Sequence, residues 1–353
     1  MQPYRPMIQT LATPKPLSQA AFAALIALTL ILTLVPTLQA QQRSTHPDAL
    51  GTATGTAVAC TGKGIAGGTC YSVALTCPNV TAVTTDVKVL VPTATPIGTV
   101  IMTAGGGDAS YYEYAPGYGS YIVTSVVANG FTVAETQFPG ASGNGWLEGP
   151  AADGPRSLAC LYSTLVKWIY TNIHQSSTTA PYCATGESGG AAAISYSLSH
   201  YGLASIYNMV ELDSGPPFSR IDYGCLCNGT APVSPCGTRN KSCYGDGSTA
   251  QRLTESAYGN NDCFTQLSTD ETLWDHDSVS SPDANFSYPN TNVRFLFGGK
   301  DTSSAVPQGL LFANRIKTQK EIACVADAAH DITEVLDGAN LIISDLATYC
   351  KVP

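Results

Sequence analysis

The pentapeptide Gly186-Glu187-Ser188-Gly189-Gly190 is the one G-x-S-x-G in the chain, and its flanks restrict the fold more than any other feature. A β-leaning run, Ala180 to Thr185, precedes it, and a helix-forming stretch, Ala191 to Tyr201, follows it. A serine at so sharp a strand-to-helix turn is forced into a strained backbone region. Glycines on both sides leave room for the strand and helix to approach. Ser188 is therefore the candidate nucleophile. A serine hydroxyl is weak at neutral pH, so a base and an acid have to accompany it.

Only five histidines compete for the role of base: His46, His174, His200, His276 and His330. His46 and His174 precede the elbow. His200 lies twelve residues after Ser188 on the same expected helix, too far along it to reach back, and reads as a surface or packing residue. His276, in an irregular cysteine-containing stretch, is a weaker alternative as a lid residue. His330 follows the β-type run Glu321 to Val325 across the small-residue loop Ala326-Asp327-Ala328-Ala329. The run Asn292 to Phe297 reads as a buried strand and ends at Gly298-Gly299-Lys300-Asp301, which puts an acid at a carboxyl end of the sheet. Asp301 also has the makings of a helix cap, because Pro307 to Ile316 reads as a helix after a Thr/Ser turn. Asp213, after the strand-like Ile206 to Leu212, is the second choice of acid, and Asp331 sits too close to His330 in sequence. The order Ser188, Asp301, His330 is that of an α/β-hydrolase triad.

A tetrahedral oxyanion needs two amide donors, and the chain offers Gly105-Gly106-Gly107 directly after the apolar run Gly98 to Met102. The amides of Gly189 and of Gly106 or Gly107 are the expected pair. The elbow resembles the Gly-Glu-Ser-Ala-Gly of carboxylesterases, and the glycine triplet resembles the oxyanion loop of esterases and lipases. The chain departs from that pattern at Ala104, where a histidine is usual, and at Gly189, where alanine is usual. Because the donors are backbone amides, neither change removes a required group. The resemblance runs from about Asp86 to the C-terminus. It implies an α/β fold with a mostly parallel, doubly covered sheet and a secreted serine esterase activity that uses no metal or cofactor.

The first forty residues differ from the rest: Arg5 and Lys15, no acid, an apolar run from Ala20 to Val35, then Pro36-Thr37-Leu38-Gln39-Ala40 with a small residue at its end. This is the layout of a secretory leader, with an uncleaved anchor as the alternative. Its removal takes away two basic residues and lowers the net charge from −9 to −11. An acidic chain with no basic run disfavours nucleic acid, and no lasting membrane association is expected after cleavage. All twelve cysteines follow the leader and read as disulfides. Local bridges among Cys60, Cys70 and Cys77, and between Cys324 and Cys350, are the simplest arrangement, although spacing does not fix connectivity. Cys225, Cys227, Cys236 and Cys243 lack metal-ligand spacing. Sequons at Asn79, Asn228, Asn240 and Asn285 mark exposed loops.

Residues 41–84 read as a cysteine-pinned, loop-rich or hairpin extension, and residues 85–353 as the hydrolase domain. Asp86 to Val91, Gly98 to Met102 and Phe131 to Thr136 read as strands, and Tyr121 to Asn129 and Arg156 to His174 as helices. Strands alternating with helices imply right-handed crossovers. Between about 214 and 290 the pattern breaks into Gly, Pro, Asn, Ser and cysteine, where a disulfide-held cap is expected over the strand ends. Tyr111, Tyr112 and Trp146 are candidates for lining a substrate pocket, although tyrosines at a loop also pack without a ligand. The expected partner is a small or polymeric ester. A polyester depolymerase, an aryl or feruloyl esterase, and a non-catalytic binding protein on the same scaffold are the competing readings.

Overall fold

The computed structural model describes residues 47–60, 64–138, 140, 142–151, 154–236 and 241–353. The leader, His46 and Asn240 lie outside the described residues. Nine strands among them form one sheet: β1 (Thr52–Val58), β2 (Thr69–Cys77), β3 (Val80–Leu90), β4 (Gly98–Thr103), β5 (Phe131–Gln137), β6 (Tyr182–Glu187), β7 (Met209–Asp213), β8 (Asn292–Gly298) and β9 (Lys320–Val325). Their spatial order is β1-β2-β3-β5-β4-β6-β7-β8-β9. The first three strands and the β3–β5 pair are antiparallel, and every pair from β5 to β9 is parallel.

Both faces of the parallel part are covered, which is why β4 and β6 are buried at every position. Successive side chains still alternate between two core layers. Val100 and Met102 enter one layer and Ile101 the other, and Met209 is likewise separated from Val210. Helices α1 (Gly119–Ala128) and α8 (Leu336–Tyr349) cover one face, while α2 (Gly154–Asn172) and α3 (Gly189–Ser199) cover the other. The expected elements are present with shifted ends. The largest shift is at β3, which starts at Val80 rather than Asp86, and β7 starts at Met209 because Leu203–Ser205 forms a 3-10 turn before it.

The segment read as an extension supplies β1 and β2, which continue the sheet beyond β3. Between β7 and β8 the chain forms short helices, α4 (Ile221–Leu226), α5 (Thr249–Tyr258) and α6 (Glu271–Asp277), whose Ile221, Leu253 and Trp274 join the core on the α2/α3 side. Helix α7 (Ala305–Arg315) follows β8. No helix among the described residues is long and apolar enough to cross a membrane.

All twelve cysteines are paired. Cys60–Cys70 is the one expected bridge that forms. Cys77 bonds Cys160 on α2, Cys350 bonds Cys183 in β6, and Cys324 bonds Cys236. Sequence proximity misleads here because each of these links joins a strand to whatever packs on its face. Cys225–Cys263 and Cys227–Cys243 close the cap. The Cys183–Cys350 bridge spans 167 residues and is buried at both ends. Replacing both with serine is expected to cost about 2–5 kcal/mol of unfolding free energy. Urea titration of the double variant checks this, and an unchanged midpoint would contradict the assigned pairing.

Candidate active site

Ser188 caps α3 with φ 50° and ψ −108°, a region that side chains with a Cβ rarely occupy. Its amide donates to the Asp213 carbonyl at 2.7 Å, and its carbonyl accepts from Ala192 at 3.0 Å. Close packing around the turn explains the glycines. A Cβ on Gly190 would stand 2.5 Å from the Thr103 carbonyl oxygen, and one on Gly186 would stand 2.8 Å from Ile194. Gly189 has the same constraint: its Cβ would lie 1.6 Å from the carbonyl oxygen of Gly106. The loop after β4 therefore abuts the first turn of α3, whose leading amides have no intrahelical acceptor. Gly106 takes φ +66° with open space where a side chain would project. Asp108 holds this loop in shape, because its carboxylate accepts from the Ala104 amide at 2.9 Å and from the Thr136 hydroxyl.

The candidate aromatic wall lies elsewhere. Tyr112 is wholly buried in the α1/α8 core layer, and Trp146 is wholly buried with its ring edge-on to Tyr196. Tyr111 is half-buried, and burial followed by the charge of Asp86 raises its phenol pKa. None of the three lines the cleft that contains Ser188. Its walls are Ser188, Pro217, residues 302–305, His330 and a stretch of the cap that includes Lys241 and Ser248 to Ala250, around a volume of about 570 Å³.

His330 meets Asp301 because two loops are laced together. The Gly299 amide donates to the Val325 carbonyl at 2.7 Å and the Lys300 amide to the Ala328 carbonyl at 2.9 Å. A Cβ on Gly298 would fall 1.9 Å from the Ala329 carbonyl oxygen, so the approach requires glycine. His330 Nδ1 donates to Asp301 Oδ2 at 3.0 Å. Burial alone would raise the Asp301 carboxyl pKa, but the His330 bond and charge and the Ser303 contacts bring it below 3.8. Burial would likewise lower the imidazole pKa, and Asp301, helped by Asp331, raises it above 6.5.

Ser303 went unnoticed in the sequence. Its amide donates to Asp301 Oδ1 at 2.7 Å, and its hydroxyl lies 3.2 Å from His330 Nδ1. A serine in a Thr/Ser turn ahead of a helix reads as a cap, and only the distance to His330 separates the two roles.

The other candidates go elsewhere. Asp213 is fully buried with one carboxyl oxygen accepting from Thr185 at 3.1 Å, whereas His330 is bonded to Asp301 and not to this second-choice acid. His276 pairs with Asp277 at 2.8 Å beside Arg156, in a different cleft. His200 is buried, bonded to the Ser278 carbonyl, with a pKa pushed down to about 4 by burial and by Arg156. His174 is held between Thr99 and Ser177. Glu187, next to Ser188, is buried, and its carboxyl pKa stands well above 4.5 through burial and then a hydrogen bond with Asp331. Among the described residues no three His, Cys, Asp or Glu side chains are grouped to hold a metal ion.

No family model matches the sequence, and no curated protein matches it. Solved structures do match. A puromycin hydrolase superposes with a TM-score of 0.52 at 12% identity, over 78% of this chain and 38% of that one. Acylaminoacyl peptidase from Pyrococcus horikoshii gives 0.51 at 10% identity, over 83% of this chain and 50% of that one. A lipase in its open form gives 0.50 at 15% identity, over 80% and 98%. The chain has the α/β-hydrolase fold, and at these identities the likeness carries the fold alone.

The two acids make a stability test. Burial pushes the Asp213 carboxyl up to about 8, with the Thr185 bond only partly offsetting it. The folded chain therefore keeps a proton that the unfolded chain loses near the ordinary value of 3.8. Stability from this group is complete below that pH and is lost as pH rises through about 8. Asp213→Asn is expected to gain on the wild type as pH rises from about 4 to 9. Thermal unfolding across that range checks it, and two parallel curves would contradict it.

Proposed function

We propose that the protein is an exported serine hydrolase that cleaves carboxylic esters through an acyl-enzyme. The observation that carries this reading is the bonded His330–Asp301 pair opening onto the same cleft as a serine in a strained turn. Six disulfides among the described residues support export, since such bonds persist in oxidising compartments.

Neutral His330 takes the proton of Ser188 as its oxygen attacks the ester carbonyl, and Asp301 stabilises the imidazolium that forms. The developing oxyanion lies against the amides at the start of α3 and in the Gly106–Gly107 loop, fixed before the reaction begins. The imidazolium then returns its proton to the departing alcohol. Water, deprotonated by the same histidine, releases the acid and restores the serine.

Ser188→Ala is expected to abolish both turnover of p-nitrophenyl esters and labelling by a fluorophosphonate while leaving the circular dichroism spectrum intact. Asp301→Asn is expected to lower kcat by about 10⁴-fold, and Asp213→Asn by less than about tenfold, because its carboxylate is bonded within the sheet. Equal losses from the two acid changes would reassign the acid. Labelling of a different serine would overturn the whole reading.

The base must be neutral to work, and Asp301 raises its pKa above 6.5. The kcat/KM of the wild type should therefore rise with pH through an inflection above the ordinary histidine value. Replacing Asp301 with Asn removes the raising charge and should move the residual inflection to lower pH. A pH–rate profile of both proteins checks the sign.

A further inference from the structure

The walls of the cleft carry information about the substrate. Six of the residues lining it bear hydroxyls: Ser188, Ser248, Thr249, Thr302, Ser303 and Ser304. Among the described residues the lining contains no Phe, Tyr, Trp, Leu, Ile, Val or Met. A site for a long acyl chain would need such side chains, because burying apolar surface supplies the affinity for it.

Charge in the cleft is also one-sided. Lys241 is the one Lys or Arg among the described lining residues, and no Asp or Glu lines it. Asp301 is buried behind His330, and Asp246, in the same cap loop as Lys241, is exposed outside the lining. Lys241 has no ion-pair partner among the described residues. Two helices also begin at the cleft wall, α5 through Ser248 to Ala250 and α7 through Ser304 and Ala305. A third, α3, begins beside Ser188. Each helix start carries partial positive charge, which adds to that of the lysine.

The lysine stands on a clamped base. The next residue, Ser242, is buried, its hydroxyl donates to the Gly229 carbonyl at 3.2 Å, and its carbonyl accepts from Gln308 on α7 at 2.8 Å. Gln308 grips Arg220 as well, accepting from its amide at 2.8 Å and donating to its carbonyl at 3.0 Å. Cys243 is bonded to Cys227. A net-acidic chain thus anchors the residues that follow a lysine with no ion-pair partner among the described residues, at the wall of a hydroxyl-lined cleft.

We propose that this cleft takes short, polar esters that carry a carboxylate, with Lys241 as the counter-charge. The inference rests on the ester-hydrolase reading of Ser188 and names its substrate class. The carboxylate sits on either the acyl or the alcohol side of the scissile bond, and the test has an arm for each.

Two matched pairs separate the cases: 4-acetoxybenzoate against its methyl ester for the alcohol side, and 4-nitrophenyl hydrogen adipate against 4-nitrophenyl methyl adipate for the acyl side. In one pair the charged member is expected to have a kcat/KM about fivefold to thirtyfold higher at low ionic strength. The ratio should shrink toward one in about 0.5 M salt. Lys241→Arg should keep the preference, Lys241→Ala should reduce it, and Lys241→Glu should reverse it. A wild type that labels with fluorophosphonate at Ser188 and turns over the neutral esters at least as well in both pairs overturns the inference and leaves the hydrolase reading standing. A preference unaltered in Lys241→Glu overturns the role of that lysine. A folded protein that labels at no serine overturns the hydrolase reading and takes this inference with it.

Discussion

One backbone conformation sets the terms for the rest of the molecule, the positive φ of Ser188. Such a conformation costs roughly 1–3 kcal/mol and persists only where its surroundings over-determine it. They do so here from several directions. The Ser188 amide is held by the last residue of β7, α3 presses back against β4 through Gly190, and Gly189 meets Gly106. The hydroxyl is thus presented by parts of β4, β6 and β7 together, and it could not be so presented by a local turn alone. The sheet order, with β4 and β7 on either side of β6, is what makes this support available.

The fold and the meeting of Asp301 with His330 were legible in the sequence because both leave marks along the chain. A strand buried on two faces leaves an apolar run, and the elbow leaves glycines at the positions where its neighbours come closest. Asp301 and His330 were legible because they stand just past such runs. Ser303 was not, since its significance lies in a 3.2 Å separation from a residue 27 positions away. The pocket walls were illegible for a related reason. Tyr112 and Trp146 go into the core, while the walls come from the elbow, the loops that carry Ser303 and His330, and a disulfide-held cap. Cysteine pairing has no sequence signature, and three of the bridges join strands to elements distant in sequence.

The site also shows two uses of buried acid. Asp301 is charged because a histidine and the Ser303 amide compensate its burial. Asp213 and Glu187 lie as deep, and burial raises the pKa of both carboxyls instead. Proximity to the serine therefore does not make a carboxyl part of the chemistry. What counts is whether its charge is balanced, a distinction of environment rather than of residue type.

The Cys236–Cys324 bridge has a further consequence. Cys324 lies in β9, six residues before His330, so this bond ties the cap to the strand that leads into the His330 loop. Gln308 adds a second attachment through α7. A roof fastened to the same beam as the machinery below it cannot lift without disturbing that machinery. On the proposed reading of the cleft, two such attachments favour sorting by shape and charge at the entrance over sorting by a moving cover.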